Sequence, residues 1–378
     1  MNRGFVRRRA VGLIFLAAAA AAAGVLPAAA STGAAGPFIG GLNKVATVAS
    51  TIPGNGDVNP YGVAIVPRSH GRLTAGDVLV SNFNNAPTSA SPGGQQGRGT
   101  TIVEISPGGH QKLFATIPAS AVKGGVGLTT ALVALRSGWV IVGSLPTADG
   151  TSATATPGEL FVLDASGKVR EVIRGHGIDG PWDATALDLG SVADLFVSNV
   201  LNGITNGQPA TTTKGNVVRL TLKLTGAVPR VVASTVIANG ISVHTDPAAL
   251  IVGPTGVALS AGGTLFVADT ANSRIARIPD AIFRSHPVNA GAPSATVSAS
   301  SHLNGPLGLI LTPNGDLLAA NGGDNNLVEL TQHGKVVAIK NVDTTDPPGG
   351  ALFGLAATAH PRQVYFVNDD TNTLNVLR

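Results

Sequence analysis

The side chains with the most chemical potential in this sequence stand at recurring positions rather than inside one motif. Asp183, in "GPWDAT", has Trp182 beside it, so a carboxylate adjoins an indole that can wall a ligand site. A second set closes a series of similar apolar segments: Asn82, Ser144, Asn199, Asp269, Asn321 and Asp369. Brought together, such groups form a polar ring able to bind a cation or a sugar. The alternative is local, because short Asn and Asp side chains accept backbone N–H groups and permit tight turns. Repetition favours the local role, since one site rarely needs six similar groups. Three histidines, His176, His244 and His302, precede neighbouring segments. Histidine is a common metal ligand and acid–base group. Their offsets differ, however, and no pair has ligand spacing, which reads as exposed loop histidines.

These residues are positioned by a repeat. Its cleanest copy is "GPTGVALSAGGTLFVADTANSRIARI", from Gly253 to Ile278, with two strand-like runs about an "AGG" turn and a third run after a polar break. The opening run recurs at Gly62, Gly127, Asp183, Gly256, Gly308 and Gly354, and each copy has paired second and third runs such as "DVLVSN" and "TTIVEI". Short apolar strands separated by Gly, Pro, Asn and Asp, with no helical period between them, predict antiparallel sheets. Six such units predict an all-β, six-bladed propeller of four-stranded blades. The sixth copy ends at "TLNVLR", one strand short, while "NKVATVAS" (Asn43–Ser50) precedes the first. The N-terminal strand is therefore expected to complete the last blade. In the opening runs small residues (Gly62, Gly256, Gly308, Gly354) alternate with bulky ones (Val63, Val257, Leu309, Leu355), as strands converging on an axis require. Asp183 occupies the slot that holds Gly elsewhere, either to face the channel or to bond a neighbouring strand's edge.

The ends and the composition set the context. "MNRGFVRRR", an Ala-rich apolar run and "PAAAS" predict a signal peptide over residues 1–30, then a linker over 31–42 and one propeller domain over 43–378. Export implies a secreted or periplasmic protein with no membrane span after cleavage. Lys and Arg number 25 against 21 acidic residues, but Arg3, Arg7, Arg8 and Arg9 lie in the leader, leaving a formally neutral mature chain. That removes the electrostatic case for nucleic acid. With no cysteine, disulfides and thiolate chemistry are excluded.

The Gly253–Ile278 stretch resembles an NHL repeat, and the series resembles NHL-type six-bladed propellers over Asn43–Arg378. The resemblance implies the fold; activity does not follow, since propellers host hydrolases, lyases, oxidoreductases and binding modules. Amidating lyases of this type place His before the Gly of the first strand, where this chain has Tyr61, Val126, Trp182, Thr255, Leu307 and Phe353. Gluconolactonase-like hydrolases begin a calcium-binding set with a Glu early in the first blade, and no such Glu stands in the strand at Gly62. The sequence thus favours a binding module for an extracellular or periplasmic ligand or protein over an enzyme. Long polar loops after the second strands of blades one to three would carry recognition, with Trp182, Asp183, Tyr61 and Phe353 at the ligand. The other reading is a metal-assisted hydrolase or lyase at the channel mouth. It would use Asp183 and a divalent cation such as calcium, with Asn82, Asn199, His244, Asp269 and Asn321 as candidate ligands.

Overall fold

The computed structural model describes residues 36–118, 120, 122–344 and 349–378. The expected signal peptide lies outside the described residues. Among these residues no helix is long and apolar enough to cross a membrane.

The alternating pattern produces six antiparallel sheets arranged as blades. Strand β1 is Val45–Ser50. The first blade holds β2 (Val58–Ile65), β3 (Val78–Asn84), β4 (Thr101–Ile105) and β5 (Gln111–Thr116). The second holds β6 (Leu128–Ala134), β7 (Val140–Ser144), β8 (Glu159–Leu163) and β9 (Val169–Ile173). The third is built from β10 (Pro181–Asp188), β11 (Val192–Asn199), β12 (Thr211–Lys223), β13 (Arg230–Asp246) and β14 (Leu250–Val252). The fourth comprises β15 (Pro254–Leu259), β16 (Leu265–Asp269), β17 (Arg274–Ile278) and, after the two-residue β18 (Val288–Asn289), β19 (Thr296–Ser298). The fifth runs β20 (Pro306–Leu311), β21 (Leu317–Asn321), β22 (Asn326–Leu330) and β23 (Val336–Asn341). The sixth pairs β24 (Leu352–Thr358), β25 (Gln363–Asn368) and β26 (Thr373–Leu377), and β1 adds as its outermost strand, Val45 opposite Leu377. The ring closes through the N-terminal strand, as the sequence predicts. Blade three is wider than the rest, because β14 adds a fifth strand on β13 and β18, from the fourth-blade insertion, pairs in parallel with β13.

The segment before β1 is packed as well. Phe38, Ile39 and Leu42 are buried, and the Glu329 carboxylate accepts the N–H groups of Phe38 (2.5 Å) and Ile39 (2.7 Å). Arg362 Nε donates to the Phe38 carbonyl at 2.6 Å, so blades five and six both grip this entry segment. A buried carboxylate taking two backbone donors is well satisfied.

Two registers differ from the expected repeat. In blade two the small-residue slot is Ala131, not Gly127, and Thr130 rather than Val126 precedes it. Leu128 pairs with Ser144 and Leu132 with Val142, so the bulge in β6 holds one residue more than the Pro60–Val63 bulge of β2. In blade six the residue that ends the second strand is Asn368, opposite Leu352, and Asp369 is the first turn residue.

The innermost strands are held in backbone contact around the axis. A Cβ on Gly256 would lie 2.3 Å from Leu309 N, on Gly308 2.2 Å from Phe353 O, and on Gly354 2.2 Å from Tyr61 O. No side chain fits there without pushing two blades apart. We expect Gly308→Ala to destabilise the fold by about 2–4 kcal/mol. Gly262→Ala, whose nearest neighbour would be Ser260 Oγ at 3.9 Å, should change stability far less. Denaturant midpoints of the two variants against the parent chain measure the difference, and equal midpoints would refute the contact.

Candidate functional site

The start of each innermost strand points toward one end of the axial channel, and there the sequence places aromatics. Tyr61 stacks on Phe353 (centroids 4.0 Å apart) and on Phe83 (4.5 Å), and meets Trp182 tilted at 5.7 Å. Offset and tilted ring pairs of this kind add about 0.5–1.5 kcal/mol each to the gain from burial. Tyr61 and Trp182 are fully buried and Phe353 is 3% exposed. These three sequence candidates are therefore brought together, as a plug across the channel.

The loops expected to crown this face cover the plug. Loop 85–100 of blade one, loop 145–158 of blade two, loop 200–210 of blade three and the β13–β14 turn form a canopy. Leu145, Val200, Leu201, Leu250 and Ile251 drop from it into one cluster with Tyr61, Trp182 and Phe353. The canopy is tied across blades: Thr147 N–H donates to Gly97 O (3.0 Å), Gln95 Nε2 to Asp149 O (3.2 Å) and Gln96 Nε2 to Pro247 O (2.7 Å). Arg98 also donates to the Ala148 carbonyl.

Asp183 sits just beneath the plug. Its Oδ2 accepts the Val257 N–H of blade four at 3.0 Å, which is the bond to a neighbouring strand's edge that its slot allows. Its own N–H donates to Ser198 Oγ (3.1 Å), which passes a hydrogen bond to Thr255 O (2.7 Å). Asp183 also lines the channel, so both readings of this residue describe part of its environment. Burial pushes its carboxyl up to about 7, against the smaller opposing effect of the Val257 and Ala184 backbone N–H groups. Asp369, on the plug side, is likewise raised to about 7 by burial and by Asp370. Burial, with Asp369 second, drives Tyr61 well above the usual phenol range.

The strand-end residues are tied by hydrogen bonds, Asn82, Asn199 and Asn321 to segments distant in sequence, Asp269 and Asn368 to their own turns. Asn82 Nδ2 donates to Thr51 O (3.0 Å), Asn199 Oδ1 accepts the Asp179 N–H (3.1 Å), and Asn321 Nδ2 donates to His302 O (2.8 Å). Asp269 accepts Arg274 Nε at 2.7 Å and the Asn272 amide at 3.0 Å, and Asn368 Oδ1 takes the Thr371 N–H at 3.0 Å. Asn82, Asn199, Asp269 and Asn321 are all fully buried. Burial on Asp269 raises its pKa despite Arg274. His244 faces Asp246 (Nε2 to Oδ2 3.6 Å) on β13, whereas His176 and His302 lie exposed in separate turns. Among the described residues no three His, Asp or Glu side chains gather in a metal-binding group. Among the described residues, the Oδ1 atoms of Asn82, Asn321 and Asp369 are buried without a hydrogen-bond partner.

Below the plug the channel is open. It encloses about 320 Å³ between the innermost strands and runs toward Ile65, Leu135, Asp188, Leu311 and Ala357, on the face away from the canopy. Sequence reasoning missed this one-ended channel, because sealing depends on loop side chains such as Leu201 and Leu250 that no strand periodicity marks.

Six blades, an axial small-residue slot and N-terminal closure define an NHL-like six-bladed β-propeller. The NHL repeat family model matches residues 252–278. No curated protein matches the sequence significantly. Among solved structures, the chain is similar to a protein provisionally assigned as a gluconolactonase (TM-score 0.55, 15% identity, 90% of this chain and 93% of that one). It is similar also to a gluconolactonase from Xanthomonas campestris (TM-score 0.53, 13% identity, 88% of each chain). These likenesses show the fold.

The Asp183 environment makes a pH prediction. The folded carboxyl titrates near 7 and the unfolded one near 3.8, so the folded state holds the extra proton between them. The associated stability is complete below the unfolded value and is lost as pH rises through 7. Asp183→Asn, which keeps an acceptor for Val257, should stabilise the protein at pH 8 by on the order of 2 kcal/mol and leave it nearly unchanged at pH 4. Thermal melts of both proteins across that range read the effect. A constant difference between them would contradict it.

Proposed function

We propose that this protein is an exported binding module that recognises a ligand or protein through the outer surface of the canopy. The observation that carries this reading is the cross-blade bonding of the loops, Thr147 to Gly97, Gln95 to Asp149 and Gln96 to Pro247, which fixes them as one preformed surface. Preorganised loops lose little conformational entropy on binding. A cleft of about 300 Å³ lies in that surface, lined by Thr151, Ser152, Thr245, Asp246, Pro247 and Leu250. Around it stand exposed polar residues such as Thr205 and Gln208, with the Asp246 carboxylate in the lining and Asp149 bonded to Thr151. That chemistry suits a partner rich in hydroxyl or amide groups, held by hydrogen bonds. The leader-like residues 1–30 support export, and with it a partner outside the cytoplasm.

The metal-assisted hydrolase is the weaker reading. Its support is the fold likeness to gluconolactonases at 15% and 13% identity, and the plug fills the channel mouth that such a site would need. No catalytic residue is assigned.

The test separates canopy from opposite face. Ser89→Lys, Ala153→Lys and Thr205→Lys together alter only exposed canopy positions. Each should cost no more than about 0.5 kcal/mol of stability. The matched control, Ser137→Lys, Ser191→Lys and Ala261→Lys, lies in the hairpin turns of the other face. Immobilised protein should retain culture-fluid components with the parent chain and the control but lose them with the canopy variant. Equal retention by all three would refute the assignment.

A further inference from the structure

The two most exposed large apolar side chains among the described residues are Phe283, 85% exposed, and Leu189, 63% exposed. Leu189 tips the β10–β11 turn, on the face opposite the canopy. Phe283 follows β17 and reaches the same face, because the Ala281 N–H donates to Gly263 O of the β15–β16 turn at 2.8 Å. Arg219 of β12 donates to Ala281 O at 2.8 Å, which ties the Phe283 turn to blade three as well. Both tips are held outward by their own turns. The Leu189 N–H donates to Val192 O at 2.9 Å and the Phe283 N–H to Asp280 O at 3.0 Å.

Cations surround the tips. Leu189 shares one cleft with Arg68 and Arg136. The Leu224 N–H donates to Ser191 O at 2.8 Å, which sets Lys223 beside the Leu189 turn, and Arg230 pairs across from Lys223. Arg284 adjoins Phe283. Among the described residues Arg68, Lys223 and Arg230 are exposed and form no ion pair. The neighbouring acids are fewer. Asp188 accepts the Arg136 N–H at 2.7 Å, Asp194 takes the Thr221 hydroxyl at 2.6 Å, and Asp280 is exposed. The formally neutral mature chain conceals this imbalance, because Asp149, Asp179, Asp246, Asp324 and Asp370 stand in turns at the canopy end. Charge segregated in this way orients a protein in the field of an anionic surface.

A protein partner needs a continuous apolar patch, since charged residues are depleted from interface cores. Here the apolar tips stand on separate turns, among arginines and a lysine. Single apolar side chains set among cations match a lipid surface, where each tip enters the headgroup–acyl boundary and each cation meets a phosphate. We propose that the face opposite the canopy docks on an anionic phospholipid bilayer, with Phe283 and Leu189 inserted and Arg68, Lys223, Arg230 and Arg284 on the lipid phosphates. Docked this way, the protein turns its canopy away from the membrane, whatever the canopy binds.

Co-flotation with vesicles of phosphatidylcholine, alone or mixed with phosphatidylglycerol, tests this. The protein is taken after export and removal of residues 1–30, whose arginines and apolar run would bind lipid themselves. At low salt it should partition at least about tenfold more strongly onto the mixed vesicles, and high salt should remove most of that preference. Phe283→Ser with Leu189→Ser, both at exposed turn positions, should weaken binding to the mixed vesicles by about tenfold or more. Arg68→Gln with Arg230→Gln should lower the preference for phosphatidylglycerol by about tenfold. Because the chain has no cysteine, a polarity-sensitive dye on Phe283→Cys reports that site alone. Its emission should shift to the blue on the mixed vesicles, while the same dye on Ser89→Cys of the canopy should not change. No binding to the mixed vesicles would leave the tips to a protein partner and overturn the proposal. Undiminished binding by Phe283→Ser with Leu189→Ser, or an equal shift from Ser89→Cys, would overturn it too.

Discussion

Everything in this molecule depends on how closely six innermost strands approach one axis. Four of the six junctions between neighbouring blades are made by glycine: Gly256 against β20, Gly308 against β24, Gly354 against β2 and Gly62 against β6. The other two are made by side chains. Thr130 bonds the Trp182 carbonyl across blades two and three, and Asp183 takes the Val257 N–H across blades three and four. Where backbone cannot touch backbone, a short polar side chain spans the gap and satisfies a buried group that would otherwise cost on the order of 1–3 kcal/mol. The carboxyl of Asp183 is thus a structural bridge first, and its exposure to the channel follows from that position.

Convergence of small residues lower in the channel leaves room for large ones above it. Tyr61, Trp182 and Phe353 fill that space, and long loops from three blades bury them. The same loops that look like tolerated insertions supply the apolar lid on the aromatic stack. Sealing one end turns an axial channel into a blind pocket with an acidic floor and an opening on the other face. It also lifts the carboxyl of Asp183, because the plug and the surrounding blades remove it from bulk water.

Much of this was legible in the residues. The Gly-containing opening runs gave the blade number, the missing sixth outer strand gave the closure, and the break at Asp183 marked the junction that differs. Where the reading slipped, the cause was physical. Gly127 and Asp369 are each displaced from the slot by a bulge or a turn that local pattern does not encode. Trp182 looked like a ligand wall because nothing in its neighbourhood announces Leu201, Leu250 and Ile251, which arrive from distant loops to bury it. Glu329 carries no local signal, since its partners are the backbone N–H groups of a segment some 290 residues away. The turn role read for Asp269 has its partners in Arg274 and Asn272, whereas Asn82 and Asn199 bond segments 31 and 20 residues away.

The central claim is that the canopy end of the channel is sealed over the Tyr61–Trp182–Phe353 stack. The chain has two tryptophans, so Trp139→Phe leaves Trp182 as the sole reporter. Steady-state fluorescence of that variant with acrylamide titration tests the seal directly. A blue-shifted emission that resists quenching until the protein is unfolded is the predicted result. A red-shifted, freely quenched Trp182 in the folded protein would contradict the account.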